Sequence, residues 1–568
     1  MEKVKNMFDT VILKFLNKHI WLWIIVLSIP AFWALLVPGF YGASDDLHIA
    51  WLYEFHKTLT MGQLPPRFVP DLSFGFGYPL FNFVFPLPFY IGEIFHLFGL
   101  SFVDSIKALF LISVPLSGIF MYLLLRQFVE RKTSLIGAIL YIYTPYRAVD
   151  LYVRGAVGEI VSFVFLPLII LSVIKISQEE GFKWVGIGAL SLASLVLSHN
   201  ITAYMFFPFV GILFILQFFL TSAKREYLVK AFLMIFLGLL ISIYFWLPAL
   251  IESKLVRYDT VFNFVDHFPT LLQLIRPYWG YGASVPGPYD GMSFFLGGAD
   301  ILLLITGIIL FLFRWKQINR RRLAFVGWVL GTIMVALFLM NYRSTIVWNN
   351  LPLLPYFQFP WRFLILTTFF IPLLLVSTEK IKLNNSLLII LLALIILPTM
   401  SYFRPQDFLG RLDNYYINRY IPAPTASKEY LQIQEEYLRL PTNTKVRPDK
   451  NYPIVYSDLG VVNNIDKIND LNYKVDVFSK DGMVLNFSKY FFPGWVVKMD
   501  GQTIDIKSGS PFGQVRVIIP PGEHKIQFEF METDFKKVLD AISLGSFLVS
   551  LGMVKSLWFP LRKIGLSL

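Results

Sequence analysis

The chain has 568 residues, of which 56% are hydrophobic and only 15% charged, and its mean hydropathy of +0.60 excludes an ordinary soluble protein of this length. The formal net charge of +12 does not indicate a nucleic-acid partner, because the basic residues stand in short clusters between apolar runs rather than in one patch. The absence of cysteine excludes disulfides, zinc–thiolate sites and cysteine nucleophiles.

Apolar segments of membrane-spanning length recur along the chain, and we predict a polytopic α-helical membrane protein with about twelve transmembrane helices. The first segment follows a basic N-terminus and shows no small-residue cleavage site, so we expect a retained helix rather than a removed signal peptide. The predicted segments lie near residues 19–38, 104–126, 131–146, 157–177, 183–198, 202–221, 229–250, 299–314, 322–340, 362–378, 384–402 and 537–557.

Positive charge predicts the orientation of these segments. When the N-terminus is placed in the cytoplasm, every basic cluster of the later loops falls on the cytoplasmic side, up to Lys555 and Arg562 near the C-terminus. This holds only if residues 79–99 do not cross the membrane, and their three prolines and Glu93 favour a juxtamembrane or re-entrant element on the outer face. We therefore expect a multi-pass protein of the plasma membrane with both termini cytoplasmic.

The outer segments predict the domain organisation. Residues 1–402 form a transmembrane domain, residues 403–535 an extracytoplasmic domain, and residues 536–568 a last transmembrane helix with a cytoplasmic tail. In the second part, alternating stretches such as YKVDVF and HKIQFEF, separated by DG, PG and PPG turn signals, predict a small antiparallel β-sandwich at about 450–532. The stretch EYLQIQEEYLRL before it predicts a short amphipathic helix. The outer loops of the transmembrane domain are predicted at residues 39–103, 143–159, 251–298 and 341–361.

Two adjacent carboxylates, Asp45 and Asp46, follow the first predicted span. Ser44 is a favourable N-cap, which would place both acids in the first turn of a helix that carries His48 and lies flat on the membrane surface. Charges beside a membrane are costly unless they bind something or take part in chemistry, so we predict that both acids are catalytic and that His48 contacts the substrate. The alternative is that the acids only cap the helix, although capping needs one acid rather than two.

The second outer loop, YTPYRAVDLYVRGAVGEIVSF, sets two arginines and two acids between apolar helices. An arginine close to the membrane surface can bind phosphate through two parallel hydrogen bonds, and the glycines of the loop would let its backbone approach a ligand. An ion pair of Arg147 with Asp150, or of Arg154 with Glu159, is an alternative that can hold at the same time. All four residues are predicted to bind substrate.

Three later outer segments contain further candidates for substrate binding. A histidine in the tight connection LSHN can bind a substrate hydroxyl or phosphate, or it can be a turn residue satisfied by the backbone. The loop GYGASVPGPYDG has the composition of a binding loop or lid, and aromatic residues at a membrane interface give the same composition without a function. An arginine in FQFPWRFL, at the start of a predicted helix, needs a partner at that depth. The candidates in these segments are His199, Asn200, Arg276, Tyr281, Tyr289, Asp290 and Arg362.

The order of these features resembles the GT-C superfamily of membrane glycosyltransferases, which combine an acidic first outer loop, a juxtamembrane element, many helices and a C-terminal outer domain. The stretches YTPYRAVDLYVRGAVGE and LSHN look like the bacterial and archaeal membrane proteins labelled 6-pyruvoyl-tetrahydropterin-synthase-related. The stretches KYFFPGWVVKMDGQTIDI and FGQVRVIIPPGEHKIQFEF resemble the β-domain of YfhO-like proteins. The sequence shows no zinc–histidine set of a pterin synthase, so the resemblance does not extend to pterin chemistry.

The resemblance implies transfer of a hexosyl or pentosyl group, with inversion expected, from a polyprenyl-phosphate carrier to an acceptor on the extracytoplasmic face. The acceptor would be a cell-envelope polymer, a glycan or a protein. The resemblance also implies that Asp45 or Asp46 is the base that activates the acceptor and that basic residues of later loops hold the lipid phosphate. Some members use a divalent metal at the acidic loop, and paired carboxylates are compatible with Mg²⁺ or Mn²⁺ without requiring either. The candidates for the phosphate are Arg147, Arg154, Arg276 and Arg362.

Two other functions stay open at this level. A non-catalytic scaffold or glycan-binding pseudoenzyme would use its β-domain to bind cell-surface polymer. A lipid–sugar transporter would carry its charges inside helices near the bilayer midplane, with repeated or broken helices, whereas the charges here gather at one face. No P-loop, Rossmann glycine pattern, HExxH, GxSxG or kinase set occurs in a supporting context, which argues against nucleotide-driven and serine-hydrolase chemistry.

Overall fold

The computed structural model describes residues 19–257, 263–317, 319–378, 383–421 and 440–555. The amphipathic helix predicted from EYLQIQEEYLRL, except for its last residue, lies outside the described residues. So do the basic clusters at residues 3–18 and 562–563, on which the predicted orientation partly depends.

Helices occupy most of the chain up to residue 402, and each of the twelve predicted spanning segments coincides with helical structure. The first of these helices are α1 (Ile20–Phe32), α2 (His48–Thr60), α3 (Leu80–Phe83), α4 (Leu87–Leu97), α5 (Phe102–Leu125), α6 (Arg131–Tyr143), α7 (Pro145–Ala148), α8 (Val157–Ser177), α9 (Lys183–Ser198) and α10 (Asn200–Leu220). The later ones are α11 (Lys224–Ile241), α12 (Ile243–Glu252), α13 (Leu271–Ile275), α14 (Gly298–Arg314), α15 (Arg320–Leu339), α16 (Thr345–Asn350), α17 (Leu364–Phe370), α18 (Asn385–Thr399), α19 (Asp413–Tyr420) and α20 (Asp534–Lys555).

Seven of the described helical segments are long and apolar enough to cross a membrane, and an eighth span results if α11 and α12, bent by 65° at their junction, count as one. The protein is therefore a multi-pass membrane protein. Three shorter apolar helices, at residues 20–36, 183–198 and 298–313, and the 13-residue α6 make up the other predicted segments, so the total of about twelve spans stays a prediction. The seven are Phe102–Leu125, Val157–Ser177, Asn200–Leu220, Arg320–Leu339, Pro360–Thr378, Asn385–Tyr402 and Asp534–Lys555.

Residues 79–99 form only the two short helices α3 and α4, which are separated at Val84–Pro86. Proline lacks the backbone donor that would continue a helix, so the break follows from the sequence. The 11 residues of α4 extend about 16 Å, which is too short for a hydrocarbon core of about 30 Å. The structure therefore agrees with an element that does not cross the membrane.

The loops predicted to share the cytoplasmic side contact one another. Arg322 at the start of α15 donates to the carbonyl of Phe128 at 2.9 Å, and Lys230 of α11 donates to the carbonyl of Glu180 at 2.7 Å. Each bond joins two loops that are far apart in the sequence, so the two loops of each pair lie at the same end of their helices. The sequence-predicted outer loops meet at another location, described below.

The helix α8 is apolar on all sides, and 18 of its 21 residues are buried. A helix without a polar face lies inside a bundle rather than at its edge. The segment Pro360–Thr378 is enclosed in the same way, with 94% of its spanning window buried. These two segments carry Glu159 and Arg362 at their starts, so both side chains are held by the most enclosed part of the helical region.

The chain from residue 455 to 530 forms two antiparallel sheets, with strand orders β1-β4-β8-β7 and β2-β3-β9-β5-β6. Their alternating apolar residues contribute to one hydrophobic cluster, in which Phe487 of the first sheet stacks on Phe528 of the second with ring centroids 4.4 Å apart. The predicted DG turn joins β5 to β6, and Asp500 and Gly501 both have positive φ, as a two-residue type I′ turn requires. The strands are β1 (Val455–Tyr456), β2 (Val461–Asn469), β3 (Asn472–Ser479), β4 (Met483–Tyr490), β5 (Trp495–Met499), β6 (Gln502–Ile504), β7 (Lys507–Ser508), β8 (Gln514–Ile519) and β9 (Gly522–Phe530).

Part of the first outer loop packs into these sheets. Phe68 and Phe76 are fully buried in the same cluster as the strands. The ammonium group of Lys489 in β4 donates to the carbonyls of Pro70 and Gly75, each at 2.8 Å. The predicted domain boundary at residue 402 thus separates segments that share one hydrophobic cluster.

Candidate active site

The chain before α2 does not form the predicted first helical turn. The helix begins at His48, and its N-cap, Leu47, provides no side-chain cap. Ser44 is therefore not the cap, and its hydroxyl lies 3.4 Å from both Asp45 Oδ1 and the carbonyl of Arg154. Most residues of this helix are buried, because α4, α5 and α19 pack around it.

The acidic segment is held against the second outer loop by backbone hydrogen bonds. The residues Val149–Arg154 form a π-helical turn that ends at Gly155 with a φ of 70°. The amide of Ser44 donates to the carbonyl of Val153 at 3.1 Å, and the amide of Asp45 donates to that of Arg154 at 2.7 Å. A turn of π-helix often marks a functional site, because the extra residue redirects side chains. Here it places Arg154 beside the acids.

The glycines of this loop serve packing within the protein. A Cβ atom at Gly158 would lie 2.6 Å from the ring of Phe85 and 2.7 Å from the carbonyl oxygen of Ser198. A Cβ atom at Gly155 would lie 3.1 Å from that of Ala43. These glycines therefore let the first and second outer loops and the end of α9 pack closely together.

The two adjacent acids face different partners. Asp45 has a side chain that is 25% exposed, and its Oδ2 lies 3.9 Å from Nη2 of Arg154. Asp46 is buried and accepts a hydrogen bond from the Tyr420 hydroxyl at 2.5 Å. Burial raises the pKa of Asp46 above its usual value, although the Tyr420 bond and the charge of Arg419 act in the opposite direction. The chemically accessible acid of the pair is Asp45.

Arg154 is the centre of a buried charge cluster. Its Nη1 lies 2.7 Å from Asp150 Oδ1 and 2.8 Å from Glu159 Oε1. The hydroxyl of Tyr146 donates to Glu159 Oε2 at 2.8 Å. One of the two ion pairs considered from the sequence, Arg154–Glu159, is therefore present, and Asp150 joins it instead of pairing with Arg147.

Arg147 has other contacts. It is fully buried, donates to the hydroxyl of Ser117 at 3.0 Å, and lies with its guanidinium carbon 4.5 Å from the ring centroid of Phe163. The ring of Tyr141 is a second aromatic neighbour at 5.1 Å. Arg147 therefore lies in the interior of the helical region.

Arg362 enters the cluster from the segment Pro360–Thr378. Its Nε lies 3.7 Å from Glu159 Oε1, and its Nη1 donates to Gln358 Oε1 at 2.6 Å. The neighbouring Trp361 lies under the guanidinium of Arg154, 5.1 Å from the ring centroid. The donors Arg362 Nε and Trp361 Nε1 are buried and have no hydrogen-bond partner within the described ranges. Buried donors are rarely left unpaired, so a polar ligand is expected beside them.

Two histidines complete the cluster. His48 and His199 are buried and flank the ring of Phe85, with ring centroids 6.4 and 5.3 Å from it. His199 caps α10, since its Nδ1 accepts from the amide of Thr202 at 3.3 Å, which is the turn role considered from the sequence. Burial lowers the pKa of His48, so this histidine is neutral near pH 7, and its Nδ1 has no hydrogen-bond partner among the described residues.

Five of the predicted site residues stand apart from the cluster. No hydrogen bond or ion pair of the described residues joins them to Arg154 or its partners. Asp290 holds its own loop together by accepting from Ser284 Oγ, the amide of Val285 and Gln273 Nε2. Tyr281 donates to the carbonyl of Arg404. The other three, Arg276, Tyr289 and Asn200, are exposed.

The sequence did not indicate α19 as part of the site. Asp413 at its start accepts from the amides of Phe102 and Val103 at 2.9 and 2.8 Å, which ties the helix to the beginning of α5. Tyr416 is fully buried, and Tyr420, one helical turn later, reaches Asp46. The spacing of these tyrosines by four residues was the available signal, because such residues share one helix face. Tyr146 and Trp361 were likewise not predicted as site residues.

The acidic pair fits a shared metal ion poorly. Asp45 faces Arg154, whereas the carboxylate of Asp46 is bound by Tyr420 and lies close to Arg419 and Arg411. Among the described residues, no group of three or more histidine, aspartate or glutamate side chains is arranged to hold a metal ion. A cation site for Mg²⁺ or Mn²⁺ normally combines several oxygen ligands around one point.

No protein-family model matches the chain. An uncharacterized protein of Lactococcus lactis subsp. cremoris (strain MG1363) is 24% identical over 248 residues, which are 42% of this chain and 40% of that protein. The chain therefore matches about two fifths of the length of this curated relative.

The solved structures similar to this chain include two transferases. The arabinofuranosyltransferase AftD from Mycobacteria gives a TM-score of 0.48 at 12% identity, over 70% of this chain and 29% of that one. The oligosaccharyltransferase of Archaeoglobus fulgidus in its apo form gives a TM-score of 0.40 at 14% identity, over 77% of this chain and 61% of that one. At TM-scores this low, neither likeness establishes a shared fold.

Proposed function

We propose that this protein is a membrane glycosyltransferase of the GT-C type, which transfers a sugar from a polyprenyl-phosphate donor to an acceptor at the extracytoplasmic face. The observation that carries the proposal is the position of Asp45. It is a partly exposed carboxylate at the edge of a buried cluster that contains Arg154, Arg362 and the unpaired donor of Trp361. A base and a group of cationic donors are the two elements that such a transfer needs side by side.

The proposed reaction is a single displacement at the anomeric carbon. The acceptor hydroxyl oxygen forms a bond to that carbon, and Asp45 takes the hydroxyl proton. The bond from the anomeric carbon to the phosphate oxygen breaks, and its electron pair leaves with the polyprenyl phosphate. Attack from the face opposite the leaving group inverts the configuration of the sugar. The proposal assigns no step to a metal ion, because the acidic pair does not converge on one point.

Arg362 is the proposed ligand of the leaving phosphate. Arg154 is already bound by Asp150 and Glu159 at 2.7 and 2.8 Å, so its charge is largely neutralised by the protein. Among the described residues, the only ion pair of Arg362 is the longer 3.7 Å contact to Glu159, and its Nε has no hydrogen-bond partner there. A positive charge in a dry site stabilises a developing negative charge strongly, since little water screens it. Arg154 then acts as a positioning residue that orients Asp45 and Glu159.

The proposal also concerns the subgroup, the acceptor and the side of the membrane on which the site lies. The resemblance of the β region to YfhO-like proteins supports assigning the chain to that subgroup, with a cell-envelope polymer, glycan or protein as acceptor. The contacts that join the basic loops in pairs support an extracytoplasmic location for the cluster and the sheets, since cytoplasmic loops carry the excess of lysine and arginine.

The proposal is tested with the purified full-length protein in lipid nanodiscs and a panel of polyprenyl-phosphate-linked hexoses and pentoses. The readout is the release of polyprenyl phosphate, with and without added acceptors. Wild-type protein releases it from at least one donor, and Asp45→Asn abolishes the release. The control variant is Asp407→Asn, an exposed acid whose backbone carbonyl contacts Gly42. Equal turnover by the wild type and Asp45→Asn would remove Asp45 from the mechanism.

A further inference from the structure

The outer face of the four-stranded sheet contains a cavity of about 380 Å³ that lies outside the charge cluster. This volume is within the range of roughly 300–1,000 Å³ that is common for small-molecule sites. The cavity is lined by the strands β1, β4 and β8 and by the loops at residues 452–453 and 510–512.

The floor of the cavity is a row of side chains fixed by strand register. Tyr456 pairs with Asn486, and Asn486 pairs with Arg516, so the three residues lie side by side across β1, β4 and β8. Side chains alternate between the two faces of a strand, and the neighbours Phe487 and Val515 point to the hydrophobic cluster instead. The polar row therefore belongs to the face turned away from the core.

A hydrogen-bond network holds this floor in place and leaves one acceptor free. Asn486 Oδ1 accepts from Gln514 Nε2 at 3.1 Å and from Arg516 Nε at 3.0 Å, and Gln514 Nε2 also reaches the hydroxyl of Tyr456 at 3.2 Å. Gln514 is only 1% exposed, and its Oε1 has no hydrogen-bond partner in the described part of the chain. A buried carbonyl oxygen without a donor is costly, so a ligand hydroxyl is expected to donate to it.

The walls of the cavity are largely aromatic and apolar, and the charged side chains in its lining balance each other. Tyr452 and Phe512 contact each other with ring centroids 4.7 Å apart, and Pro453 and Pro511 complete the apolar part of the lining. The lining carries one acid, Asp458, and one base, Arg516. Balanced charge, aromatic faces and amide groups suit a polyhydroxylated, uncharged ligand better than a phosphate or a nucleotide.

We propose that this cavity binds a neutral sugar residue of a glycan, with Gln514, Asn486 and Arg516 engaging its hydroxyl groups. The proposal does not depend on the proposed transferase activity, since none of these residues belongs to the cluster around Asp45. The loop that contributes Phe76 packs against Phe512 with ring centroids 5.5 Å apart, so the first outer loop supports one wall of the cavity from behind.

The test measures binding of neutral oligosaccharides to the full-length protein in nanodiscs, since alkyl glycoside detergents carry sugars that would compete. The probes are tetrasaccharides of glucose, mannose, galactose, arabinose and N-acetylglucosamine, with an acidic tetragalacturonate and a proline-rich peptide as comparisons. We expect saturable binding of at least one neutral probe, weakened roughly tenfold by Gln514→Met and by Arg516→Met. The matched control is Gln527→Met on the other sheet, which leaves the affinity unchanged.

Further variants keep the outcome decisive. Tyr456→Ala changes a half-buried position and serves if Gln514→Met fails to fold, as judged by its thermal unfolding. The variant Asp45→Asn is expected to bind the same probe as the wild type, which separates this cavity from the transfer reaction. Binding of no neutral probe, preference for the peptide or the acidic probe, or equal affinity in all variants would overturn the proposal.

Discussion

Asp45 and Asp46 are adjacent in the chain but belong to different interactions. Asp45 Oδ2 lies 3.9 Å from Arg154, whereas Asp46 Oδ1 accepts a hydrogen bond from Tyr420, 374 residues away. Asp45 borders the charge cluster of the outer loops, and Asp46 joins the segment before α2 to α19 through its hydrogen bond with Tyr420. The two carboxylates therefore have different partners, and we propose separate roles that substitutions at each position can distinguish.

The variant Asp46→Asn is expected to keep its activity and to match or exceed the wild type in thermal stability at pH 7. The pKa of Asp46 is raised in the folded protein, chiefly by burial, so its stabilising contribution is present below the usual value of 3.8 and is lost as the pH rises through the folded pKa. Asparagine removes the charge and keeps an oxygen for Tyr420. Thermal unfolding in nanodiscs and the transfer assay measure the two properties.

The variant Asp46→Ala gives the contrasting result. It leaves the Tyr420 hydroxyl without its acceptor, at a cost of about 1–3 kcal/mol, so its unfolding temperature falls. A catalytic role for Asp46 would instead appear as loss of turnover in Asp46→Asn without loss of stability.

Arg362→Gln is expected to raise the KM for the lipid-linked donor roughly tenfold or more and to lower kcat, because the leaving phosphate loses a charge in a dry site. Arg362→Lys keeps the charge but not the planar donor geometry, so it restores part of the activity. Initial rates over a range of donor concentrations separate the two parameters. Arg276→Gln, at an exposed position outside the cluster, is the control and is expected to behave as the wild type.

Much of the helical pattern could be predicted from the sequence, because an apolar run of spanning length has few alternatives. The predicted segment at 157–177 and the helix α8 have the same limits. The predicted start of α2 was wrong, because a favourable N-cap residue is only a local signal. The backbone hydrogen bonds from Ser44 and Asp45 to the π-helical turn override it. No local pattern could reveal that Asp46 meets Tyr420, since that contact depends on how distant segments fold together.

Lys489 is expected to make the stability of the protein depend on alkaline pH. Burial lowers its pKa to about 8 from a usual 10.5. The unfolded chain therefore binds more protons between these values, and the free energy of unfolding rises as the pH increases from about 8 to 10.5, by on the order of 3 kcal/mol in all. The Lys489→Met variant loses this rise, and Lys474→Met, at an exposed position of β3, retains it. Unfolding temperatures measured from pH 7 to 10.5 check the difference.

Gly158→Ala is expected to lower both stability and turnover. The added Cβ would lie 2.6 Å from the ring of Phe85 and 2.7 Å from the carbonyl oxygen of Ser198, so the end of α9 and the ring between the two histidines must shift. Gly211→Ala is the matched control within a helix, because a Cβ there meets nothing within 4 Å. At Gly211 alanine is expected to be neutral or stabilising by up to about 1 kcal/mol. A stable and fully active Gly158→Ala protein would contradict the tight packing of these loops.

A cryo-EM map of the protein in nanodiscs with bound polyprenyl phosphate tests the central claim most directly. We expect density for the phosphate in contact with the guanidinium of Arg362 and the indole nitrogen of Trp361, with the open side of the phosphate facing Asp45. Density for the phosphate at Arg276, or among the basic loops that contain Arg322 and Lys230, would contradict the proposed site.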